Sequence, residues 1–284
     1  MPTKTILITG SNRGIGTGIT QLLASTSHTP SLNILATSRS GIHLAIQPSH
    51  NSTIHYAKLD ISSRASIAAF LHSHPARIDV LINNAGVNNN IGETPDSAAH
   101  TVKVNYCGTR DLCSALLERG GLWRVVNVSS AACQLSNYAP RVQEKFRNAR
   151  SVADVDRLAD SYIGAVCRGK QEELGWGKGV MSYQVSKALV NALTAVLAQQ
   201  NPDVLVNCCC PGWVDTHMGG LVGGKPPKTV EEGARIPVRL AVGELGRGGD
   251  GDGGLGREET ERVSGVYFAN DGVVETGWGS VRGW

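Results

Sequence analysis

The chain has 284 residues, 41% of them apolar and 18% charged, and 27 Lys+Arg against 24 Asp+Glu leave a formal net charge of +3. That length allows a sizeable core, as one large α/β unit or two smaller domains, while near-neutral charge and 5% aromatic content give no platform for nucleic acid or an anionic membrane. Glycine is the outlier, at 34 residues.

From the N-terminus, Thr5–Thr9 reads as a strand running into Gly10-Ser11-Asn12-Arg13-Gly14-Ile15-Gly16 and a helix over Ile15–Ser25. No secretory h-region precedes it, so a cytoplasmic protein is expected. Gly10 permits a tight turn, Gly14 close approach of a pyrophosphate, and Gly16 close packing of helix on strand. The helix N-terminus supplies free N–H groups for the phosphates. A second strand, Asn33–Ser38, ends at Arg39 without the acid that would bind a ribose 2′-hydroxyl. Arg39 and Arg13 instead suit the 2′-phosphate of NADP.

Strands at Ile54–Leu59, Val80–Ile82 and Arg124–Val128 alternate with helices at Ala65–His72 and Ala98–Glu118, the signature of βαβ units and a parallel sheet. After the fifth strand come Ser129 and Ser130, at the carboxyl edge where such sheets bind ligands. A mixed-charge helical insertion occupies about 134–178, with helices at Val142–Arg150 and Val155–Arg168. The helix Met181–Gln200 then opens on Tyr183-Gln184-Val185-Ser186-Lys187. Four-residue spacing puts Tyr183 and Lys187 on one face, where an ammonium lowers a tyrosine pKa and makes the phenol a usable acid.

Strands at Val204–Cys208 and Gly265–Phe268 complete about seven. Between them, Thr229-Val230-Glu231-Glu232 is a capping box opening a helix that Pro237 should kink. Residues 243–256 contain eight glycines and read as a flexible loop. The contiguous Cys208, Cys209 and Cys210 indicate reduced thiols rather than a disulfide framework, and neither they nor His72 and His74 have metal-site spacing. Gly219 to Lys225 imitates the start of a P-loop, but Pro226 stands where a magnesium-binding hydroxyl is required.

Taken together, the 10–16 glycine motif, Leu59-Asp60-Ile61, Asn83-Asn84-Ala85-Gly86, Asn105 to Asp111, Val125 to Ser130, Tyr183 to Lys187 and Cys209 to Val214 resemble the short-chain dehydrogenase/reductase family, in its monomeric carbonyl-reductase branch. The resemblance implies a Rossmann-type doubly wound parallel sheet spanning 1–284 as one domain. It implies NADPH/NADP+ bound by Gly10, Asn12, Arg13, Gly14, Ile15, Gly16, Arg39, Asp60, Ile61, Asn83, Ala85, Gly86, Tyr183, Lys187, Pro211, Gly212, Val214 and Thr216. In catalysis, Ser130 would bind the substrate carbonyl and Tyr183 would deliver its proton. Lys187 would hold the nicotinamide ribose and keep Tyr183 acidic, and Asn105 would hold a relay water. A lid is implied over about 216–228. Gln134, Tyr138, Trp176 and Trp213 are the candidate pocket residues. The insertion separates Ser130 from Tyr183 by 53 residues and implies a monomer. A specialised biosynthetic reductase of ketones or imines, and a non-catalytic NADP-binding sensor or scaffold, remain the alternatives.

Overall fold

The computed structural model describes residues 3–49, 51–89, 92–221, 223–243 and 263–284. Beyond Gly243, the glycine-rich segment read at 243–256 lies outside them. Eight strands form one sheet in the order β3-β2-β1-β4-β5-β6-β7-β8. They are β1 (Thr3–Thr9), β2 (Ser31–Ser38), β3 (Thr53–Lys58), β4 (Val80–Asn83), β5 (Arg124–Val128), β6 (Leu205–Cys209), β7 (Tyr267–Ala269) and β8 (Ser280–Arg282). The first seven pair in parallel, and β8 adds an antiparallel edge that its three residues did not signal.

Alternation along the strands divides the core in two. Leu7, Leu81, Val125 and Val206 face one hydrophobic cluster, whereas Ile6, Ile8, Val80, Ile82 and Val126 face the other. Period-two side-chain direction sends neighbours to opposite faces, so both faces must be covered. Helices α1 (Gly14–Ser25) and α9 (Val230–Val242) cover the second face and pack on each other. The first is covered by α2 (Arg64–Ser73), α4 (Thr109–Arg119) and α7 (Ser182–Gln200). The approach of α1 to α9 is close: a Cβ on Gly18 would lie 2.3 Å from the Val230 carbonyl oxygen.

The helix expected over Ala98–Glu118 is instead three pieces. Thr94 caps α3 (Pro95–Val102) through a reciprocal bond with Ser97, and Pro95 begins it. A π turn (Lys103–Gly108) follows, and α4 resumes at Thr109. Gly108 sits against Ile61, whose carbonyl oxygen would be 2.8 Å from a Cβ there. Thr229 caps α9 with Glu232 as the spacing predicts, and the helix continues through Pro237 to Val242.

The insertion contributes α5 (Pro140–Arg147) and α6 (Val152–Cys167), with α8 (His217–Gly220) after β6. Ser151 and Asp154 form a capping box on α6. Tyr138, Phe146, Tyr162 and Trp176 pack as an aromatic group, with ring centroids between 5.3 and 6.2 Å apart, and the C-terminal Trp284 adds its edge to Phe146 at 6.3 Å. Arg110 pairs with Asp156, which also accepts from the Tyr106 hydroxyl at 2.7 Å, so α6 is tied to the π turn and α4. Among the described residues, no helix is long and apolar enough to cross a membrane.

Candidate active site

The carboxyl ends of β1, β4, β5 and β6 bring the motifs together. Ser129 is turned inward, donating to the Lys187 carbonyl at 3.3 Å. Ser130 is therefore the hydroxyl at the edge, and it shares a hydrogen bond with the Tyr183 phenol. Tyr183 is the second residue of α7, and one turn later Lys187 donates its Nζ to the Val128 carbonyl at 2.8 Å. That Nζ lies 5.7 Å from the Tyr183 ring centroid.

Electrostatics here depart from the sequence reading. Burial pushes Tyr183 up to about 12 and the Ser130 bond pulls only partly against it. Burial also brings Lys187 down to about 8. The expected lowering of Tyr183 by the ammonium is not seen, and burial dominates instead, because removing charge from water disfavours phenolate and ammonium alike. A phenol raised to about 12 keeps its proton at neutral pH, the state a proton donor requires.

Asn105 sits in the π turn, an irregularity that re-aims side chains at functional positions. Its Oδ1 accepts from the Val87 N–H at 2.8 Å, and its Nδ2 donates to the Val87 carbonyl and the Ser186 hydroxyl at 2.9 Å each. Gly86 stands between this amide and Lys187: a Cβ there would meet Asn105 Oδ1 at 3.2 Å and Lys187 Nζ at 3.6 Å.

The glycine loop has the form its spacing predicts. Gly10 and Gly14 take φ of +65° and +54°, and a Cβ on Gly16 would lie 2.1 Å from the Gly10 carbonyl oxygen. Arg13 is the N-cap of α1 and makes no side-chain cap bond, so the first N–H groups of the helix face the edge uncapped. Asn12 is half-buried, and Ile15 packs partly against the core. Arg13 and Arg39 are exposed. Asp60 binds the Ser62 N–H and hydroxyl at 2.9 and 2.7 Å, and the charge of Arg39 helps hold its carboxyl below the usual range. Thr216 caps α8, and its methyl would meet a Cβ on Gly14 at 3.1 Å. The segment that follows β6 thus passes directly over the glycine loop at Thr216. Ala85 donates its N–H to the Thr9 hydroxyl at 3.0 Å, which seats the turn after β4 against β1.

Several of the expected site residues turn their side chains into the fold. Asn83 is buried, its Nδ2 donating to Asn127 at 2.9 Å and to the Cys113 sulfur at 3.2 Å, so its amide nitrogen is committed inside the sheet while its Oδ1 has no partner among the described residues. Its neighbour Asn84, which the motif spacing did not single out, binds the Thr9 and Gly10 carbonyls at 3.0 and 3.1 Å and holds the loop. Ile61 and Val214 are core side chains and offer only backbone. Tyr138 and Trp176, 3% and 2% exposed, belong to the aromatic core of the insertion rather than to an open pocket. Their aromatic surface is better buried against one another than left at a cleft wall. Trp213 is half-buried, its indole donating to the Gly219 carbonyl at 3.0 Å and bracing α8.

A cavity of about 270 Å³ is lined by Ala131, Gln134, Cys210, Gly212, Val273 and Arg282, among others, and Ser130 and Tyr183 are not on its wall. Only Gln134 of the four pocket candidates lines it. Cys210 accepts from the Ala131 and Gly212 N–H groups at 3.0 and 3.3 Å, and burial pushes its thiol up. Lys228, buried just before α9, donates to the Pro211 carbonyl at 2.8 Å and packs against Gly212, whose φ is +87°. No local pattern announced this lysine.

A switch point between β1 and β4, a glycine loop there and a Ser-Tyr-Lys set along the edge define a dinucleotide-dependent oxidoreductase architecture. The sequence profile of the short chain dehydrogenase family matches residues 4–140. The chain is 34% identical to carbonyl reductase (NADPH) 1 of Oryctolagus cuniculus, over 84% of this chain and 91% of that protein. It is 30% identical to (+)-neomenthol dehydrogenase of Arabidopsis thaliana, over 95% and 97%. Salutaridine reductase from Papaver somniferum superposes with a TM-score of 0.72 at 28% identity, covering 84% of this chain and 95% of that structure. The chain belongs to the short-chain dehydrogenase/reductase family, on its carbonyl-reductase branch, and is an oxidoreductase acting on C=O or CH–OH groups.

Proposed function

We propose that this protein is an NADPH-dependent carbonyl reductase converting a ketone, aldehyde or quinone to an alcohol. The observation that carries this reading is the hydrogen-bonded Ser130–Tyr183 pair beside a buried Lys187 at the sheet edge. The residues fit a dinucleotide: the uncapped start of α1 and the cradle left by Gly10, Gly14 and Gly16 suit a pyrophosphate. Arg39 and Arg13 would hold the 2′-phosphate, Asp60 the adenine end, and the backbone of Asn83, Ala85, Gly86, Pro211, Gly212, Val214 and Thr216 the remaining length.

NADPH, when bound, supplies hydride to the carbonyl carbon. Ser130 and Tyr183 donate hydrogen bonds to the carbonyl oxygen, stabilising the negative charge that develops there. Tyr183 releases its proton to that oxygen. Lys187, positively charged below about pH 8, stabilises the phenolate that remains. The gap that Gly86 leaves between Asn105 and Lys187 suits the relay water expected of Asn105. The cavity that Ala131 and Gln134 line is the substrate pocket in this reading.

We take residues 1–284 as one domain and a monomer, because α5 and α6 cover the α4 and α7 side of the sheet through the Arg110–Asp156 and Tyr106–Asp156 contacts. Seven unpaired thiols, with Cys167 exposed, support a reducing compartment such as the cytoplasm. A biosynthetic reductase of ketones or imines is the second reading, favoured by similarity to neomenthol dehydrogenase and salutaridine reductase. A non-catalytic role fits less well, since both Tyr183 and Lys187 are in place. NADPH oxidation against a panel of ketones, quinones and imines tests all three. Turnover of carbonyls is expected, turnover of imines alone selects the second reading, and cofactor binding without any turnover selects a sensor or scaffold.

A further inference from the structure

Helix α7 opens without a local cap. Met181, at its N-cap, makes no side-chain cap bond, and its first turn contains no acidic residue. The missing acceptor comes from 89 residues upstream: Glu93 Oε1 accepts from the Ser182 N–H at 2.7 Å, and Oε2 faces the Met181 N–H at 3.4 Å. The same Oε1 accepts from the Tyr162 hydroxyl at 2.9 Å. Tyr162 lies on α6, fully buried, with its ring 5.3 Å from that of Trp176. The backbone of Glu93 is held in turn, because Thr94 is the N-cap of α3. One carboxylate therefore joins α3, the insertion and the start of the helix that carries Tyr183 and Lys187. A negative charge at a helix N-terminus offsets the unpaired N–H groups and the positive end of the dipole.

We propose that Glu93 is a positioning residue for catalysis, through which the insertion sets the N-terminal turn of α7 and so the placement of the Tyr183 hydroxyl against Ser130. This rests on the reading of Tyr183 as proton donor. The role follows from the geometry: Ser182 directly precedes Tyr183, and the buried aromatic group of the insertion gives Glu93 a rigid anchor on its other side. Neither Glu93 nor Tyr162 stands in the catalytic set, so their removal leaves the chemical groups and the glycine loop intact.

The test is steady-state NADPH oxidation by the full chain, using whichever carbonyl compound the parent turns over fastest, with kcat expressed per NADPH-binding site titrated by fluorescence. Misplacing a reacting group by about 1 Å costs up to about a hundredfold in rate, so Glu93→Ala is expected to lower kcat per site about tenfold while the KM for NADPH stays within about twofold. Glu93→Gln keeps an acceptor for both Ser182 and Tyr162 and should recover to within about threefold of the parent. Tyr162→Phe, which spares the helix bond but frees it from the insertion, should fall between them. A structural role alone would lower the melting temperature of Glu93→Ala and leave kcat per site unchanged; that result overturns the proposal, as does Tyr162→Phe at parental kcat. Tyr183→Phe, measured alongside, separates the failures. If it stays active, the proton-donor assignment is wrong; if it is inactive while Glu93→Ala is unchanged, only the positioning role falls.

Discussion

At the scale of single residues, Tyr183 and Lys187 are governed by burial acting on opposite charges. With its pKa near 12, Tyr183 holds its proton across the physiological range, and Lys187 changes charge near pH 8. For Lys187 the folded value lies below the ordinary one, so the ammonium is present below about 8 and lost above it. Carbonyl reduction should therefore be steady below that point and fall as pH rises through about 8, following a single ionisation in a kcat profile; a flat profile to pH 10 would contradict a charged Lys187 in the mechanism. Tyr183→Phe should lower kcat about 10²- to 10⁴-fold, the usual weight of a positioned general acid. NADPH affinity, measured by fluorescence quenching, should change little. Arg39→Asp places an acid where the second strand has none, and removing a charge-assisted phosphate contact should cost NADPH about tenfold or more in kcat/KM relative to NADH. An unchanged cofactor ratio would remove Arg39 from the phosphate site.

Elements carry a different kind of constraint, set by how closely their backbones approach. Helices α1 and α9 meet where residue 18 lacks a side chain, and a Cβ there would lie only 2.3 Å from the Val230 carbonyl oxygen. Gly18→Ala should gain about 1 kcal/mol of helix propensity yet lose more to overpacking, about 1–3 kcal/mol. A fall in Tm, at about 2–4 °C per kcal/mol, is the readout. Gly220→Ala, at the end of α8 with its Cβ in open space, is the control and should not lower Tm. Legibility in the sequence was high where a signal is local. The Thr229–Glu232 capping box, the alternating strands and the 10–16 glycine motif all read correctly because each depends on neighbours in the chain. It was low for the π turn at Lys103–Gly108, because its cause includes the contact of Gly108 with Ile61, 47 residues earlier. The edge strand β8 escaped for a similar reason: three residues have no periodicity until Tyr267–Ala269 pairs with them.

For the whole molecule, the insertion is the feature that sets this chain's shape apart from a bare doubly wound sheet. Its aromatic core, its Asp156 links to Tyr106 and Arg110, and the reach of Tyr162 to Glu93 make it a structural buttress of α7. Light scattering coupled to size-exclusion chromatography should return a mass close to 30.0 kDa. A particle of about twice that mass would show that the insertion leaves an interface open.

By itself the sequence determined the family and the order of the sheet-edge motifs, and it supplied the residues proposed to react. Tyr183 and Lys187 one turn apart, a serine pair closing a strand, and glycines at fixed offsets are local arrangements that backbone geometry makes unavoidable. Only the tertiary structure decided whether Lys187 or burial dominates the Tyr183 phenol. It also turned Tyr138 and Trp176 from pocket walls into core, and withdrew the Asn83 amide into the sheet. These outcomes depend on what lies across the fold from each side chain. Desolvation and hydrogen-bond satisfaction are set by spatial neighbours, and those neighbours are tens of residues away in the chain.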